Sequence, residues 1–144
     1  MTVPKKLNVG VVGIGRMGQS HALNLLHKTP RANLLCACSP AEQDIVWGRE
    51  HLAPHGVKLY PSFEEMIATP GLDAIVIASL SAFHAEQTTA ALDKGIHVLC
   101  EKPVCTTVGE VRKCPDHSTL MKLTIESGSL KPSLSESRRI LKRS

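Results

Sequence analysis

Aromatic side chains are scarce in this 144-residue sequence, which contains only Trp47, Tyr60, Phe63 and Phe83. The net charge of +4 is mild and comes largely from basic residues near the two ends. Because no basic patch is interleaved with aromatic side chains, the sequence predicts no nucleic-acid partner. No apolar run approaches the roughly 20 residues of a membrane-spanning helix, and no segment resembles a signal peptide. We therefore expect no membrane partner and a cytoplasmic location.

The sequence also lacks the cysteine patterns of a disulfide framework or a zinc site. It has five cysteines, an odd number, with no C-x-x-C pair and no paired Cys and His spacing typical of metal ligands. Cys36 and Cys38 lie two residues apart in a predicted strand, so we expect both to be small buried side chains on one face. The sequence therefore predicts free thiols and no metal site.

A regular alternation of predicted strands and helices fills most of the sequence. Apolar strands are predicted at residues 7–12, 32–38, 57–60, 73–79 and 96–100. Helices are predicted at residues 16–28, 40–51, 63–69, 81–94 and 107–114. This alternation predicts an α/β fold with a Rossmann-type, doubly wound parallel sheet of five or six strands.

The first predicted strand leads into a glycine-rich turn. Gly13, Gly15 and Gly18 have the G-x-G-x-x-G spacing and lie between a strand and a helix. In a dinucleotide site, Gly13 permits the tight turn, Gly15 lets the backbone approach a pyrophosphate, and Gly18 lets the helix pack closely. The free N–H groups at the helix start would then face the phosphates. The alternative is a tight turn without a ligand.

Ser39 ends the second strand about twenty residues after this turn, where an NAD-specific site holds an acidic side chain for the ribose hydroxyls. An uncharged serine leaves space for a 2′-phosphate, which favours NADP. No arginine follows directly to bind that phosphate, so the choice between NAD and NADP stays open. Ser39 is also predicted to cap the second helix, with Pro40 at the first helical position and Glu42 completing a capping box.

Two further predicted strands end in candidate site residues. Ser79 and Leu80 follow the fourth strand, with His84 at the start of the next helix, and Glu101 and Lys102 follow the fifth. Because ligands bind beyond the carboxyl ends of the strands in doubly wound sheets, these residues are placed to contact the nicotinamide half. A lysine there can polarise a carbonyl or bind a substrate hydroxyl. The alternatives are a structural histidine and a surface ion pair of little energetic value.

Three segments match the pattern of a known family. They are G-I-G-R-M-G at residues 13–18, D-A-I-V-I-A-S at 73–79 with the following loop, and H-V-L-C-E-K-P at 97–103. Together they resemble the glucose–fructose oxidoreductase and inositol dehydrogenase family, Gfo/Idh/MocA, over about residues 6–114. The resemblance implies NAD(P)-dependent oxidation of a sugar or cyclitol hydroxyl, or the reverse reduction. The implied partners are a dinucleotide and a sugar or polyol.

The resemblance also implies which residues contact the cofactor. These positions are Gly13, Ile14, Gly15, Arg16, Met17, Gly18, Ser39, Ser79, Leu80, His84, Glu101 and Lys102. It further implies a catalytic role for Lys102, which would assist substrate binding and proton transfer at the reacting carbon. The loop at residues 79–81 reads Ser-Leu-Ser where the family commonly has Thr-Pro-Asn, so the contacts implied there are less specific.

The composition changes after Cys114, where Pro115 ends the last predicted helix. Residues 1–114 are predicted to form a dinucleotide-binding domain, and residues 115–144 a divergent basic tail, with a weak strand pattern at 121–125. Members of the family continue with a second domain that carries a G-G-x-x-x-D-x-x-x-H pattern, which this sequence does not contain. We therefore expect a truncated, inositol-dehydrogenase-like cofactor domain that binds NAD(P) and turns over no sugar alone.

Two alternatives to this interpretation belong to different functional classes. One is a stand-alone nucleotide-binding or redox-sensing module whose basic tail binds a partner. The other is a remnant of the fold without a ligand. Without the second domain, part of the sheet would be left uncovered, and such surfaces favour association. Self-association through an exposed sheet face is therefore a further expectation.

Overall fold

The computed structural model describes residues 5–102, which form one five-stranded parallel sheet. The strands are β1 (Leu7–Val12), β2 (Ala32–Cys38), β3 (Lys58–Tyr60), β4 (Ala74–Ile77) and β5 (His97–Cys100). The helices are α1 (Arg16–His27), α2 (Glu42–His51), α3 (Phe63–Ile67) and α4 (Ser81–Asp93), with one 3₁₀ turn at Ala53–His55. The strand order is β3-β2-β1-β4-β5. This is the order of the Rossmann fold, so the predicted fold class is confirmed.

Both faces of the sheet are buried, because successive side chains along each strand enter two different cores. Ile75 and Val76 of β4 lie in opposite cores. Met66 of α3 packs in the core that contains Ile75, whereas Ala22 of α1 packs in the core that contains Val76. Helices therefore cover both faces, which explains the continuous apolar character of the strands.

The second helix begins later than the sequence predicted. The first helical residue is Glu42 and the N-cap residue is Ala41, so the predicted capping of this helix by Ser39 is wrong. The hydroxyl oxygen of Ser39 instead accepts the N–H of Ala41 at 3.3 Å, and Ala41 is extended, with ψ of 122°. In this local turn across Pro40, the Ser39 hydroxyl oxygen already has a hydrogen-bond donor before the helix starts. The capping box at Ser62 forms as predicted, because the hydroxyl oxygen of Ser62 accepts the N–H of Glu65 at 3.3 Å.

Several predicted segments lie outside the described residues. They are the helix at 107–114, the strand at 121–125, and the basic tail at 115–144 with its boundary at 114. Within residues 5–102, no helix is long and apolar enough to cross a membrane. The same residues contain no group of three or more His, Cys, Asp or Glu side chains that could hold a metal ion.

Candidate functional site

The carboxyl ends of four strands bring the predicted segments to one edge of the sheet. Val12 of β1 pairs with Cys38 of β2 and Ile77 of β4, and Ile77 pairs with Cys100 of β5. The segments that follow these residues begin with Gly13, Ser39, Ala78 and Glu101. At a strand spacing of roughly 4.8 Å, the ends of β2 and β5 lie about 14 Å apart, with the glycine turn between them. The chain order reverses between β1 and β4, which is where dinucleotides bind in this fold.

Two glycines of the turn are required by close backbone packing. Gly13 has a φ of +81°, and a Cβ placed on it would lie 2.7 Å from the Cα of Ser79. A Cβ on Gly18 would lie only 1.7 Å from the carbonyl oxygen of Gly13. Both positions therefore exclude larger residues, because the turn, the start of α1 and the loop after β4 are in direct contact.

Gly15 differs from these two glycines because its surroundings are open. It is the N-cap residue of α1, and a Cβ placed on it would meet no atom within 4 Å. No side chain caps this helix, and its first turn contains no acidic residue. A phosphate accepts hydrogen bonds from free N–H groups at a helix start and is stabilised by the helix dipole. The backbone at Gly15 thus fits a dinucleotide pyrophosphate.

The other residues of the glycine turn divide between surface and core. Arg16 and Met17 are exposed at the start of α1. Ile14 is fully buried and packs close to Gly48 of α2. The side chain of Ile14 therefore belongs to the core, and only its backbone lies at the edge of the sheet where a cofactor would bind.

The loop after β4 is held by hydrogen bonds of two buried or half-buried side chains. His84 is 2% exposed, and its Nε2–H donates to the carbonyl oxygen of Ser79 at 2.7 Å. The hydroxyl of Ser79 donates to Oε1 of Gln87 at 2.5 Å. Leu80 between them is 73% exposed. The buried side chain of His84 thus fixes the shape of the loop by its hydrogen bond to Ser79. Its predicted contact with the cofactor stays a prediction.

Glu101 is linked to the glycine helix by a histidine that sequence reasoning missed. Nε2 of His21 in α1 lies 2.5 Å from Oε1 of Glu101, and the two side chains are 15% and 32% exposed. Lys102 follows directly and is exposed. His21 lies three residues after Gly18, on the helix face that packs towards the strand ends. The spacing from Gly18 indicates only that His21 shares this helix face, and it does not indicate the partner.

Ser39 brings a carboxylate to the end of β2. Its hydroxyl donates to Oδ2 of Asp44 at 2.7 Å, and Ser39 itself is only 3% exposed. Asp44 lies in the first turn of α2 and is half-buried. Sequence reasoning looked for an acidic residue at the strand end itself and found none. The acidic side chain is supplied from five residues later, by the first turn of α2.

The two buried thiols of β2 are poorly suited to redox chemistry. Burial is the main cause that raises the pKa of Cys36 to about 11 and the pKa of Cys38 to about 12. Reactive cysteines are exposed and have a lowered pKa, since the thiolate is the nucleophile. The expectation that Cys36 and Cys38 are buried side chains is confirmed. Neither thiol supports the redox-sensing alternative.

A family model described as "Oxidoreductase family, NAD-binding Rossmann fold", that of Gfo/Idh/MocA, matches residues 7–123. The chain belongs to the Gfo/Idh/MocA family. The resemblance stated from the three sequence segments is thereby confirmed. The match extends beyond the domain boundary predicted at residue 114, and that boundary stays a prediction.

Relatives of this Gfo/Idh/MocA chain include named bacterial proteins. The rhizopine catabolism protein MocA of Rhizobium meliloti is 30% identical over 123 residues, which are 85% of this chain and 37% of that protein. The inositol 2-dehydrogenase of Corynebacterium glutamicum (strain R) is 35% identical over 100 residues, which are 69% of this chain and 29% of that protein. The chain thus spans about a third of the length of these relatives.

Solved structures of the family show the same fold. A scyllo-inositol dehydrogenase from Lactobacillus casei, crystallised with NAD(H) and scyllo-inositol, is 32% identical with a TM-score of 0.70. The similarity covers 76% of this chain and 32% of that one. The WlbA dehydrogenase from Bordetella pertussis, in complex with NADH and UDP-GlcNAcA, is 26% identical with a TM-score of 0.69, covering 79% of this chain and 33% of that one. The described residues therefore have the fold of the NAD-binding Rossmann domain of this family.

Proposed function

We propose that this chain binds NAD(P) across the carboxyl edge of its sheet and forms the cofactor half of an oxidoreductase. The substrate class is a sugar or cyclitol whose hydroxyl is oxidised, or the corresponding ketone in reverse. The observation that carries the proposal is the open, uncapped start of α1 at Gly15, located at the reversal between β1 and β4. A cytoplasmic location and a polyol partner are parts of the same proposal.

The names of the relatives support this substrate class. Inositol 2-dehydrogenases of Corynebacterium glutamicum and Acidiphilium cryptum are 35% and 33% identical to this chain. The scyllo-inositol dehydrogenase of Lactobacillus casei holds NAD(H) and scyllo-inositol together. This chain spans about a third of the length of each of these proteins. The activity is therefore proposed for the whole enzyme to which this domain contributes.

Each strand end has its own task in the proposed site. Backbone N–H groups of the glycine turn bind the pyrophosphate, with Gly15 allowing the closest approach. The end of β2 lies on the adenosine side, and the ends of β4 and β5 lie on the nicotinamide side. When bound, the nicotinamide ring supplies the acceptor or donor of a hydride.

Lys102 is the proposed catalytic residue of this chain. It is exposed directly after Glu101, and Glu101 is held by His21. A lysine ammonium near the reacting carbon stabilises negative charge on the substrate oxygen and can exchange a proton with it. The hydrogen bond from His21 limits the positions that the Glu101-Lys102 segment can adopt, which helps to orient the lysine.

Titration with NADH tests the proposal directly. We expect saturable binding, followed by the fluorescence of NADH and of Trp47, the single tryptophan. Absence of saturable binding of both NADH and NADPH would overturn the proposed function and favour a remnant of the fold. Competition by NAD⁺ is the control for specificity, since both forms share the pyrophosphate and adenosine groups.

We expect this chain to bind the dinucleotide without turning over a substrate. The 144-residue chain contains no G-G-x-x-x-D-x-x-x-H pattern, so we expect no steady NAD(P)H production from myo-inositol or scyllo-inositol by the purified chain. Steady production would contradict this expectation. In that case Lys102→Met should lower kcat by about a hundredfold or more while NADH affinity is kept, since general acid–base catalysis contributes that much.

A further inference from the structure

The hydroxyl proton of Ser39 is engaged within the protein. It donates its single proton to Oδ2 of Asp44 at 2.7 Å and accepts the N–H of Ala41 at 3.3 Å. Ser39 is also buried, with 3% of its surface exposed. A hydroxyl has one proton to donate, so Ser39 cannot donate to a ribose or phosphate oxygen while it holds Asp44. The group that this turn offers to a ligand is the carboxylate of Asp44.

The charge of Asp44 is not neutralised by a neighbouring base. Among residues 5–102, the ion pairs are His21–Glu101 and Arg49–Glu42. Asp44 lies in the first turn of α2, where the helix dipole stabilises a carboxylate. The hydrogen bond from Ser39 stabilises the same charge. A fixed negative charge therefore stands at the end of β2.

This charge lies on the adenosine side of the proposed cofactor site. In Rossmann domains, an acidic side chain after the second strand accepts hydrogen bonds from the ribose, whereas an arginine there accommodates a 2′-phosphate. The arginine of α2, Arg49, lies beyond Glu42 and contacts its carboxylate at 3.3 Å. A 2′-phosphate at the end of β2 would therefore meet a carboxylate, and the arginine of α2 is held by Glu42.

We infer that Asp44, positioned by Ser39, makes the site select NAD over NADP. The inference rests on the proposed function and names its cofactor. A 2′-hydroxyl donates a hydrogen bond to a carboxylate oxygen, whereas a 2′-phosphate is repelled by it. The uncharged Ser39, which suggested NADP from sequence, is thus the residue that holds the discriminating charge in place.

The decisive experiment compares the Kd values of NADH and NADPH for the wild-type chain and for Asp44→Asn. We expect the wild type to bind NADH at least about tenfold more tightly, a difference that corresponds to about 1.4 kcal/mol. Asp44→Asn should reduce this ratio to about one, mainly by tighter NADPH binding. Asparagine keeps a side-chain oxygen that can accept the Ser39 hydrogen bond, so the turn is retained.

Two further variants separate the local charge from other effects. Glu50→Gln removes the same charge from the far end of α2 and should leave the NADH to NADPH ratio unchanged. Ser39→Ala releases Asp44 and should reduce the ratio in the same direction as Asp44→Asn. Far-ultraviolet circular dichroism and the unfolding temperature report whether each variant is folded.

The outcomes distinguish the inference from the function on which it rests. Saturable binding of both nucleotides with equal affinity by the wild type, or tighter binding of NADPH, would overturn the inference and leave the proposed function intact. An Asp44→Asn ratio equal to that of the wild type would also overturn it. If the wild type binds neither nucleotide, the proposed function fails and the inference fails with it.

Discussion

Gly15 and Gly18 belong to one motif, yet the structure requires them for different physical reasons. A Cβ on Gly18 would overlap the carbonyl oxygen of Gly13, at 1.7 Å, so this position is set by folding. A Cβ on Gly15 would meet nothing within 4 Å. The backbone of Gly15, with a φ of −72°, suits any residue. The fold therefore does not require a glycine at this position, which supports the proposed close approach of a pyrophosphate.

Gly15→Asp is expected to keep the fold and lose the dinucleotide. Aspartate is a favourable N-cap residue and also suits the helix dipole, so the free energy of unfolding should stay the same or rise by up to about 1 kcal/mol. Its carboxylate would repel the pyrophosphate, so NADH affinity should fall at least about a hundredfold. Urea denaturation and NADH titration measure the two effects.

Gly15→Asn and Gly18→Ala are the matched comparisons. Gly15→Asn fills the same space without charge, so it should weaken NADH binding less than Gly15→Asp does. Gly18→Ala should lower the free energy of unfolding by about 3 kcal/mol, because backbone atoms have to move to relieve the overlap. Unchanged NADH affinity in Gly15→Asp would contradict the proposed position of the pyrophosphate.

Residues of the candidate site could be predicted from the sequence where the path of the backbone alone determines their position. The glycine spacing and the strand ends identified the turn, Ser39 and Glu101, because each follows directly from a local pattern. Asp44 and His21 were missed because their roles depend on side chains that meet only after folding. His21 contacts Glu101 across 80 positions of sequence, a separation that no local pattern encodes.

At the scale of elements, the pair of His21 and Glu101 links α1 to the segment that follows β5. The pair joins the middle of α1 to the end of β5, although α1 follows β1 and two strand spacings separate β1 from β5. At 15% and 32% exposure, the two side chains are partly shielded from water. Their hydrogen bond therefore holds α1 and the end of β5 in a fixed relation.

A double-mutant cycle on His21→Asn and Glu101→Gln should reveal this link as a coupling energy. We expect about 1 kcal/mol in the free energy of unfolding, the size of a net hydrogen bond between partly buried groups. The pair of Arg49 and Glu42 is the control, because both side chains are more than half exposed and exposed ion pairs contribute little. Equal coupling in the two cycles would contradict the proposed link.

Element bounds were predicted within two residues along the described chain, except that the 3₁₀ turn at Ala53–His55 was not foreseen. Apolar runs and capping residues define where strands and helices can form. The start of α2 shows the limit of such rules. The S-P-A-E segment satisfied the sequence pattern of a capping box, but the Ser39 hydroxyl bonded to Ala41 and Asp44 instead.

At the scale of the whole molecule, the fold was predictable and the arrangement of the site was only partly so. Strands alternating with helices allow little besides a parallel sheet covered on both faces. The strand order decides which ends become neighbours, and it places the ends of β2 and β5 on opposite sides of the glycine turn. A dinucleotide at this position would contact both halves of the sheet, β3-β2-β1 and β4-β5.

A bound NADH would contact both halves of the sheet. It should therefore stabilise the domain more than AMP, which is only one part of the NADH molecule. At a concentration one hundred times its Kd, a ligand that binds only the folded state raises the free energy of unfolding by about 2.7 kcal/mol. For a domain of this size, that corresponds to a rise in Tm of roughly 10 °C. AMP at the same concentration, which reaches only the β2 side, should give less than half of this rise. Gly15→Asp, with NADH affinity lowered about a hundredfold or more, should gain at most about 0.4 kcal/mol from NADH at this concentration. An equal rise with AMP and NADH would mean that the nicotinamide half makes no contact with β4 and β5.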